Sequence, residues 1–423
     1  MVQRLSFGLS RELWLVEIGI FLNYLGYGAV LPFEVIYLHD GRGFSLGVAG
    51  LVIALITGVA VATSPLAGPL IDRYGARATA VGAGVALAAG YAGLAIAHTP
   101  MQAFAAAALA GAGNGGLSPS QSTLVTALAH SDVRHRATAV SRVAGNAGIA
   151  IGGALGGLVA AYGLTGYVVL YLVNALTYLL YVFVLVAVVR DSARPERTRT
   201  RGGAGVTGGY RRVARDRAFM HLAFTNVAII AVGWGVFTWL VPPYAKDQIG
   251  ISAQLIGLLL LANAATVAVA QVPIARFAEG RRRVVMMAAA ASIFAGACLL
   301  VIAAGARTDT SYAALLAASI AVGIGECFHT TVLTPLVAEL APAGLLGRYM
   351  AAIGLSWSAG LALAPMLGTQ VLSLSPTVTF LCAAAVAAMA AIAALMLEPR
   401  LPEASRLTPC PRRVEAPAPA EPG

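Results

Sequence analysis

The sequence predicts an all-α membrane protein with twelve transmembrane helices arranged as two six-helix pseudo-repeats. The composition argues against an ordinary soluble chain, because 59% of the 423 residues are hydrophobic and only 11% are charged, whereas soluble domains carry about 25% charged residues. The apolar runs are long enough to cross a bilayer. A motif of small residues in the first half also recurs in the second, as Gly148-x-x-x-Gly152 and Gly360-x-x-x-Ala364.

Each long apolar run is interpreted as one span. The twelve predicted spans are 13–38, 46–67, 78–98, 101–128, 138–162, 166–189, 218–244, 252–275, 284–304, 311–338, 347–374 and 376–397. The predicted parts of the chain are an N-terminal bundle (1–189), a basic cytoplasmic linker (190–217), a C-terminal bundle (218–398) and a disordered cytoplasmic tail (399–423). We expect no cleaved signal peptide, because the first run is itself long enough to span.

The distribution of basic residues predicts the orientation. With both termini in the cytoplasm, only Arg42, Lys246 and Arg307 of the 28 Lys and Arg residues lie outside, as the positive-inside rule requires. The net charge of +10 therefore reflects topology and contact with anionic lipid, and does not indicate nucleic-acid binding. Richness in Arg, Ala and Gly with a single lysine favours a bacterial cytoplasmic membrane. The four cysteines have no paired spacing that would predict a disulfide or a metal site.

A dense charged turn follows the second span. The pattern Gly-x-x-x-Asp-Arg-x-Gly-x-Arg is formed there by Gly68, Asp72, Arg73, Gly75 and Arg77. We predict that this stretch forms a tight turn on the membrane surface. The pattern resembles the signature loop of the major facilitator superfamily of secondary transporters. The resemblance implies a gating role for Asp72, Arg73, Gly75 and Arg77 rather than contact with substrate.

The same resemblance implies partners for the charged turn. Asp72 would meet the positive N-terminal end of the eleventh span, near Gly347, when the outside is open. Asp132, in the loop after the fourth span, is a candidate partner of Arg73 or Arg77. Such a partly dehydrated contact would break when the inside opens.

Two further motifs resemble those of the superfamily's drug:proton antiporters. The first span carries Leu25-Gly26 and Pro32-Phe33-Glu34, with Val35 where the pattern has a second proline. The fifth span carries a glycine run with Gly153 in place of a proline, and no arginine occurs near Ala107 in the fourth span. Glycines allow helices to approach closely, so the residues predicted for helix packing are Gly148, Gly152, Gly156, Gly157 and Pro365. Ordinary small-residue packing remains an alternative interpretation of this run.

The first, fourth, seventh and tenth spans hold most of the intramembrane polar groups. Because such groups must face protein or water, these four spans are predicted to line a cavity. The predicted cavity residues are Asn23, Tyr24, Tyr27, Asn114, Ser118, Gln121, Asn226, Trp234, Thr238 and Thr330.

Three titratable residues are candidates for proton coupling. Glu326 lies near the middle of the tenth span, where an ionised carboxylate costs about 2.5–3.5 kcal/mol. His329 follows one turn later and could share its proton. Glu34, in the outer part of the first span, is expected to have access to water, and its alternative interpretation is an interfacial carboxylate. Glu326 could alternatively be a neutral packing residue.

These observations predict a secondary transporter that exports a hydrophobic or amphipathic small molecule in exchange for protons, by alternating access. One alternative is an uptake symporter or uniporter for a nutrient such as a sugar or an amino acid. Another is a membrane sensor or scaffold that does not transport. The sequence carries no Gly-x-x-x-x-Gly-Lys-Ser/Thr motif, and no enzyme activity, cofactor, metal or nucleic-acid partner is predicted. We expect a monomer whose partners are substrate, protons and the bilayer.

Overall fold

The structure is a computed structural model, which describes residues 9–129, 134–189, 209–306, 308–342 and 345–408. Within these ranges the chain forms twelve long helices. They are α1 (Arg11–Gly41), α2 (Leu46–Tyr74), α3 (Ala76–Ile96), α4 (Pro100–Leu128), α5 (Arg134–Ala160), α6 (Leu164–Val188), α7 (Arg217–Asp247), α8 (Ala253–Ala278), α9 (Arg283–Ala306), α10 (Ser311–Leu340), α11 (Leu346–Leu374) and α12 (Pro376–Met396). A short helix, Gly209–Arg215, precedes α7. The all-α fold is as predicted.

Eleven of the described helices are long and apolar enough to cross a membrane. The remaining long helix, α4, corresponds to the fourth predicted span; it has the required length of 29 residues but is rich in Ser, Thr, Asn and Gln. Its glycines place it inside the bundle: a Cβ at Gly113 would lie 2.6 Å from the Ala83 carbonyl oxygen of α3, and one at Gly111 would lie 2.5 Å from the Ile56 oxygen of α2. The polar residues of α4 therefore belong to a packed helix.

The predicted surface turn after the second span is shorter than expected. Helix α2 continues through Gly68 to Tyr74, with Pro65 and Pro69 inside it, and only Gly75 breaks the helix, at φ 87° and ψ 156°. That backbone conformation is essentially restricted to glycine. The turn predicted over this stretch is thus confined to its end, because charged residues such as Asp72 and Arg73 can continue a helix beyond the hydrocarbon layer.

Consecutive helices alternate in direction, so the molecule has two ends. We call the end where α1 begins and α12 finishes the terminal side, and the opposite end the far side. The first six helices and the last six each pack together, and helices α2 and α5 of the first half contact α11 and α8 of the second. These contacts position the cleft described below.

The glycine run of α5 serves two of these contacts. A Cβ at Gly148 would lie 2.8 Å from the Phe21 oxygen of α1, so this face of α5 packs on α1. Gly152 and Gly156 lie on the same face and meet α1 backbone as well. Gly157 faces the other half, where a Cβ would lie 2.6 Å from the Ala253 oxygen of α8. The run therefore brings α5 against both α1 and α8.

The first part of the predicted disordered tail is folded. Leu401 is buried, and the Thr408 N–H donates to the Arg281 oxygen (2.9 Å). We call residues 401–408 the strap. It lies across the turn between α8 and α9, where the Arg283 N–H donates to the Arg406 oxygen (2.9 Å). Sequence composition missed the strap because its contacts are made mainly by backbone groups, together with the side chains of Leu401 and Thr408.

Candidate functional site

The two halves meet on the far side through two helix pairs. At the start of α2, Gly47 and Gly50 face Gln370, Thr369 and the Pro365 oxygen of α11. The predicted packing residue Pro365 thus lies in the contact between halves, in a π-helical turn, Ala364–Gly368. The second pair is α5 with α8, where Gly157 and Gly153 approach the beginning of α8. Both contacts lie in the far half of the molecule.

Two side-chain bonds reinforce this far-side closure. The indole Nε1 of Trp239 in α7 donates to Glu34 Oε2 in α1 (3.0 Å). Lys246, at the end of α7, pairs with Asp40 at the end of α1, and Asp247 lies 3.9 Å from the same ammonium. Charge-assisted bonds of this kind are stronger than neutral ones, so α1 and α7 are joined at their far ends.

Glu34 is placed differently from the sequence-based expectation. Its side chain is 2% exposed, so it has no open route to water in this conformation. It lies among tyrosines, and the phenol of Tyr91 is a close neighbour. Water access was expected because of its position along α1, but Trp239 and the tyrosines of α3 and α6 cover it.

On the terminal side the halves separate. In the terminal parts of α2, which packs on α11, and of α8, which packs on α5, side chains are exposed: Leu70 is 43% exposed and Val272 is 57% exposed. Beside α1, a cavity of about 530 Å³ is lined by Tyr24, Ser118 and Gln121, together with Ser141 and Arg142 at the beginning of α5. The cleft is therefore closed on the far side and open on the terminal side.

Glu326 lies on the C-terminal wall of this cleft. Its carboxylate accepts a hydrogen bond from Asn263 Nδ2 of α8 (3.2 Å) and is half-buried. Within the described residues no cation lies at salt-bridge distance from it. Thr330, one turn further along α10, is exposed and donates to the Gln271 Oε1 (3.3 Å). This wall therefore combines one carboxylate with neutral amide and hydroxyl groups.

His329 does not pair with Glu326, contrary to the sequence-based hypothesis. Its Nε2 lies 2.8 Å from Asn226 Oδ1 of α7, and Asn226 Nδ2 donates to Ser356 Oγ of α11 (2.8 Å). Because Asn226 Oδ1 can only accept, His329 Nε2 carries the proton. Its Nδ1 is buried with no hydrogen-bond partner in the described residues. The histidine thus joins α10 to α7 and α11, while Glu326 bonds to α8.

Aromatic rings pack around this histidine. Trp234 lies 5.4 Å from His329 and 4.8 Å from Trp357, measured between ring centroids. Trp234 and Thr238 are half-buried, so both remain within reach of the cleft. Asn226, by contrast, is fully buried and contributes through its bonds to His329 and Ser356. Asn226 was predicted as a cavity residue because the sequence shows that its side chain is polar but does not show which neighbour forms hydrogen bonds with it.

Of the cavity residues predicted in the first half, most lie at the cavity or are accessible, and one is buried against another helix. Tyr24, Ser118 and Gln121 line the cavity, Asn114 is exposed and Tyr27 is half-buried. Asn23 is buried, on the face of α1 that carries Gly19 and Gly26. Both glycines pack on α6, against Tyr181 and Thr177, so Asn23 faces α6 rather than the cleft.

The predicted gating residues lie at the end of α2. Asp72 and Arg73 are exposed, and Arg73 stacks over Tyr74 (5.2 Å). Arg77 donates to the carbonyls of Leu185 (3.1 Å) and Val186 (2.9 Å) at the end of α6. The contact of Asp72 with α11 is expected when the outside is open, and this conformation has the far side closed. Asp132 lies outside the described residues.

Several residues of the site were not predicted. Five residues that make contacts described above are in this group: Asp40, Lys246, Asn263, Gln271 and Trp357. Lys246 could have been found, because it is the only lysine of the chain and ends the seventh span, whose repeat partner is the first. Asn263 and Gln271 were overlooked because most of α8 is apolar.

These features define a multi-pass membrane protein of two six-helix halves with a cleft between them. The sequence model of the Major Facilitator Superfamily matches residues 16–241 and 223–417. The chain belongs to this superfamily and is a membrane transporter of that fold.

Similar proteins support this assignment. The chain is 27% identical over 367 residues to YttB of Bacillus subtilis, named an uncharacterized MFS-type transporter, covering 85% of this chain and 88% of that protein. It is 27% identical over 365 residues to the multidrug resistance protein MdtH of Aeromonas hydrophila, covering 84% and 85%.

Solved structures share the fold. A peptide transporter POT in complex with sulfate has a TM-score of 0.75 at 17% identity, covering 93% of this chain and 95% of that one. The nucleoside transporter NupG has a TM-score of 0.75 at 15% identity, covering 92% and 99%. At this identity the likeness concerns the fold alone.

Proposed function

We propose that this transporter exports a hydrophobic or amphipathic small molecule in exchange for protons, from the cytoplasm across a bacterial cytoplasmic membrane. In this proposal the terminal side is cytoplasmic, as the distribution of basic residues predicts. The observation that carries the proposal is a cleft open to that side with the carboxylate of Glu326 on its wall, which has no cation at salt-bridge distance within the described residues. The resemblance to multidrug resistance proteins MdtH supports export.

The chemistry of the cleft supports the substrate class. Its described walls present aromatic rings (Tyr24, Trp357), neutral polar groups (Gln121, Gln271), the carboxylate of Glu326 and, at the beginning of α5, the guanidinium of Arg142. Aromatic faces and small polar groups suit an amphipathic molecule. When the cleft is closed at both ends, an ionised Glu326 without a cation is costly because the site has a low dielectric constant. Either a proton or a polar group of the bound molecule can offset this cost, so the two would compete at Glu326.

In alternating access the far side would then open and the terminal side would close. The far-side bonds Trp239–Glu34 and Lys246–Asp40 would open, while Asp72 would meet the beginning of α11 on the terminal side. Both changes would follow from a rigid-body rotation of one half against the other, as in other transporters with repeated halves.

The first test is a growth and efflux screen in a bacterial host that lacks its own exporters, using a panel of toxic lipophilic compounds. Export predicts resistance and lower accumulation; increased accumulation of a nutrient would instead support uptake. Absence of transport for every compound and nutrient would favour a sensor or scaffold.

The second test uses the purified protein in liposomes with an imposed pH gradient and a compound found in the screen. Glu326→Gln is expected to abolish the dependence of transport on the gradient while membrane insertion stays intact. The matched control is Glu12→Gln, which alters an exposed carboxylate in the first turn of α1. Proton-driven transport that is unchanged in Glu326→Gln would remove Glu326 from the mechanism.

A further inference from the structure

A groove runs along the outside of the second half, between the beginning of α7 and the end of α12. Its volume is about 890 Å³. It starts at the terminal side, where Arg217 and Arg400 stand at its rim, and continues between the two helices along Phe224 and Met389. The groove is separate from the cavity beside α1, since the two share no lining residue.

The rim is built by a specific hydrogen-bond arrangement. His221 Nε2 lies 2.8 Å from the Ala393 carbonyl oxygen, which can only accept, so this nitrogen carries the proton. His221 Nδ1 then accepts from the guanidinium of Arg400. This bond uses one of the five N–H groups of Arg400, and it holds the guanidinium over the mouth of the groove.

The positive charge at the rim is not neutralised by neighbouring carboxylates. Arg217 has no hydrogen bond or ion pair in the described part of the chain. Asp216, next to it, is occupied: its Oδ1 accepts from the Phe219 N–H (3.0 Å) and its Oδ2 from the Tyr349 hydroxyl (2.8 Å). Glu398 lies 3.9 Å from Arg282. Two arginines therefore present uncompensated charge at one end of an apolar groove.

The rest of the groove is apolar and open. Phe224 is 69% exposed and Met389 is 59% exposed, on helices long and apolar enough to lie in a bilayer. A surface with two cations at the membrane boundary and an apolar channel beyond them matches one class of molecule, a phospholipid with an anionic headgroup. Arginine pairs well with phosphate because its fork of donors fits the phosphate oxygens.

We infer that this groove binds an anionic phospholipid of the leaflet on the terminal side. Arg217 and Arg400 hold the phosphate, and an acyl chain lies along Phe224 and Met389. The lipid would join α7, which carries Trp239 of the far-side closure, to α12. The inference does not depend on the transported substrate, because binding can be measured without transport.

The test is native mass spectrometry of the full-length protein in detergent, titrated with phosphatidylglycerol or with phosphatidylcholine of the same acyl chains. We expect tighter binding of phosphatidylglycerol. The double variant Arg217→Gln/Arg400→Gln should weaken it roughly five-fold for each arginine removed and leave phosphatidylcholine binding unchanged. Equal binding of the two lipids, or an unchanged preference in the double variant, would overturn the inference.

Controls separate the groove from general surface charge and from a site for free phosphate. Arg211→Gln removes an exposed arginine on the short helix outside the groove and should leave lipid binding unchanged. Glycerol phosphate, which has no acyl chain, should not displace phosphatidylglycerol, and displacement by it would overturn the role of the acyl groove. If the double variant misfolds, Arg217→Gln alone carries the test, because the side chain of Arg217 makes no hydrogen bond or ion pair with the described residues.

Discussion

The two turns that join α2 to α3 and α8 to α9 are equivalent in the repeat, yet they are held differently. Both turn at a glycine with positive φ, Gly75 (87°) and Gly280 (68°). In the first, Asp72 is exposed and Arg77 donates to carbonyls at the end of α6. In the second, Arg283 is fully buried and donates to Glu339 (2.5 Å) and to the Leu407 oxygen of the strap (3.1 Å).

This difference indicates that the two equivalent turns have different roles. A turn whose carboxylate is exposed can form a new contact when the halves rock, whereas a turn with a buried ion pair is fixed to its own half. We therefore interpret the α2–α3 turn as the mobile contact and the α8–α9 turn as part of a rigid unit. The four predictions below test this comparison.

Removing the strap should have the largest effect on stability. A chain that stops after Glu398 loses the buried Leu401 and leaves Arg283 without the Leu407 and Arg406 carbonyls, so we expect a loss of about 3–5 kcal/mol. The measurement is unfolding of the detergent-solubilised protein. A chain that stops after Thr408 keeps the strap and should match the full-length protein. Equal stability of the two truncations would contradict a structural role for the strap.

Breaking the buried ion pair should come next. Glu339→Ala leaves Arg283 buried without its carboxylate, with an expected cost of about 3 kcal/mol, near the lower end for such pairs because Glu339 is partly exposed. Arg282→Gln serves as the control, since its side chain is 67% exposed and 3.9 Å from Glu398; it should change stability by less than about 1 kcal/mol. Equal effects of the two substitutions would show that burial of Arg283 is unimportant.

Substitution of the turn glycine should have an intermediate effect. Gly75→Ala places a side chain at φ 87°, which should cost about 1–3 kcal/mol. Gly68→Ala, seven residues earlier inside α2, meets nothing within 4 Å and should be neutral or stabilising by up to about 1 kcal/mol. The comparison of their unfolding midpoints tests whether the helix ends at Gly75 rather than at Gly68.

The smallest effect on stability is expected at Asp72. Asp72→Asn should change unfolding by less than about 0.5 kcal/mol, because the side chain is exposed. Transport should nevertheless slow, since the contact with α11 in the other state would lose its charge. A variant that transports at the normal rate would remove Asp72 from gating, and a strongly destabilised one would contradict its exposed position.

Much of the fold was predictable because it depends on local sequence properties. Apolar runs fixed the number and order of the helices, and the glycine run of α5 indicated a close helix contact. Composition also located Glu326 in a span. The predicted spans deviate most at the terminal side, where α2 and α5 extend beyond their apolar runs, because charged residues can continue a helix outside the hydrocarbon layer.

The sequence by itself determined that the chain has two membrane bundles and which side chains in them are polar. Only the tertiary structure decided which partner each polar group takes. Glu34 is covered by Trp239, His329 bonds to Asn226, Glu326 bonds to Asn263, and Arg283 is buried by the strap. The physical reason is that spacing along a helix fixes the direction of a side chain, whereas its burial and hydrogen bonding depend on helices distant in sequence that pack against that face.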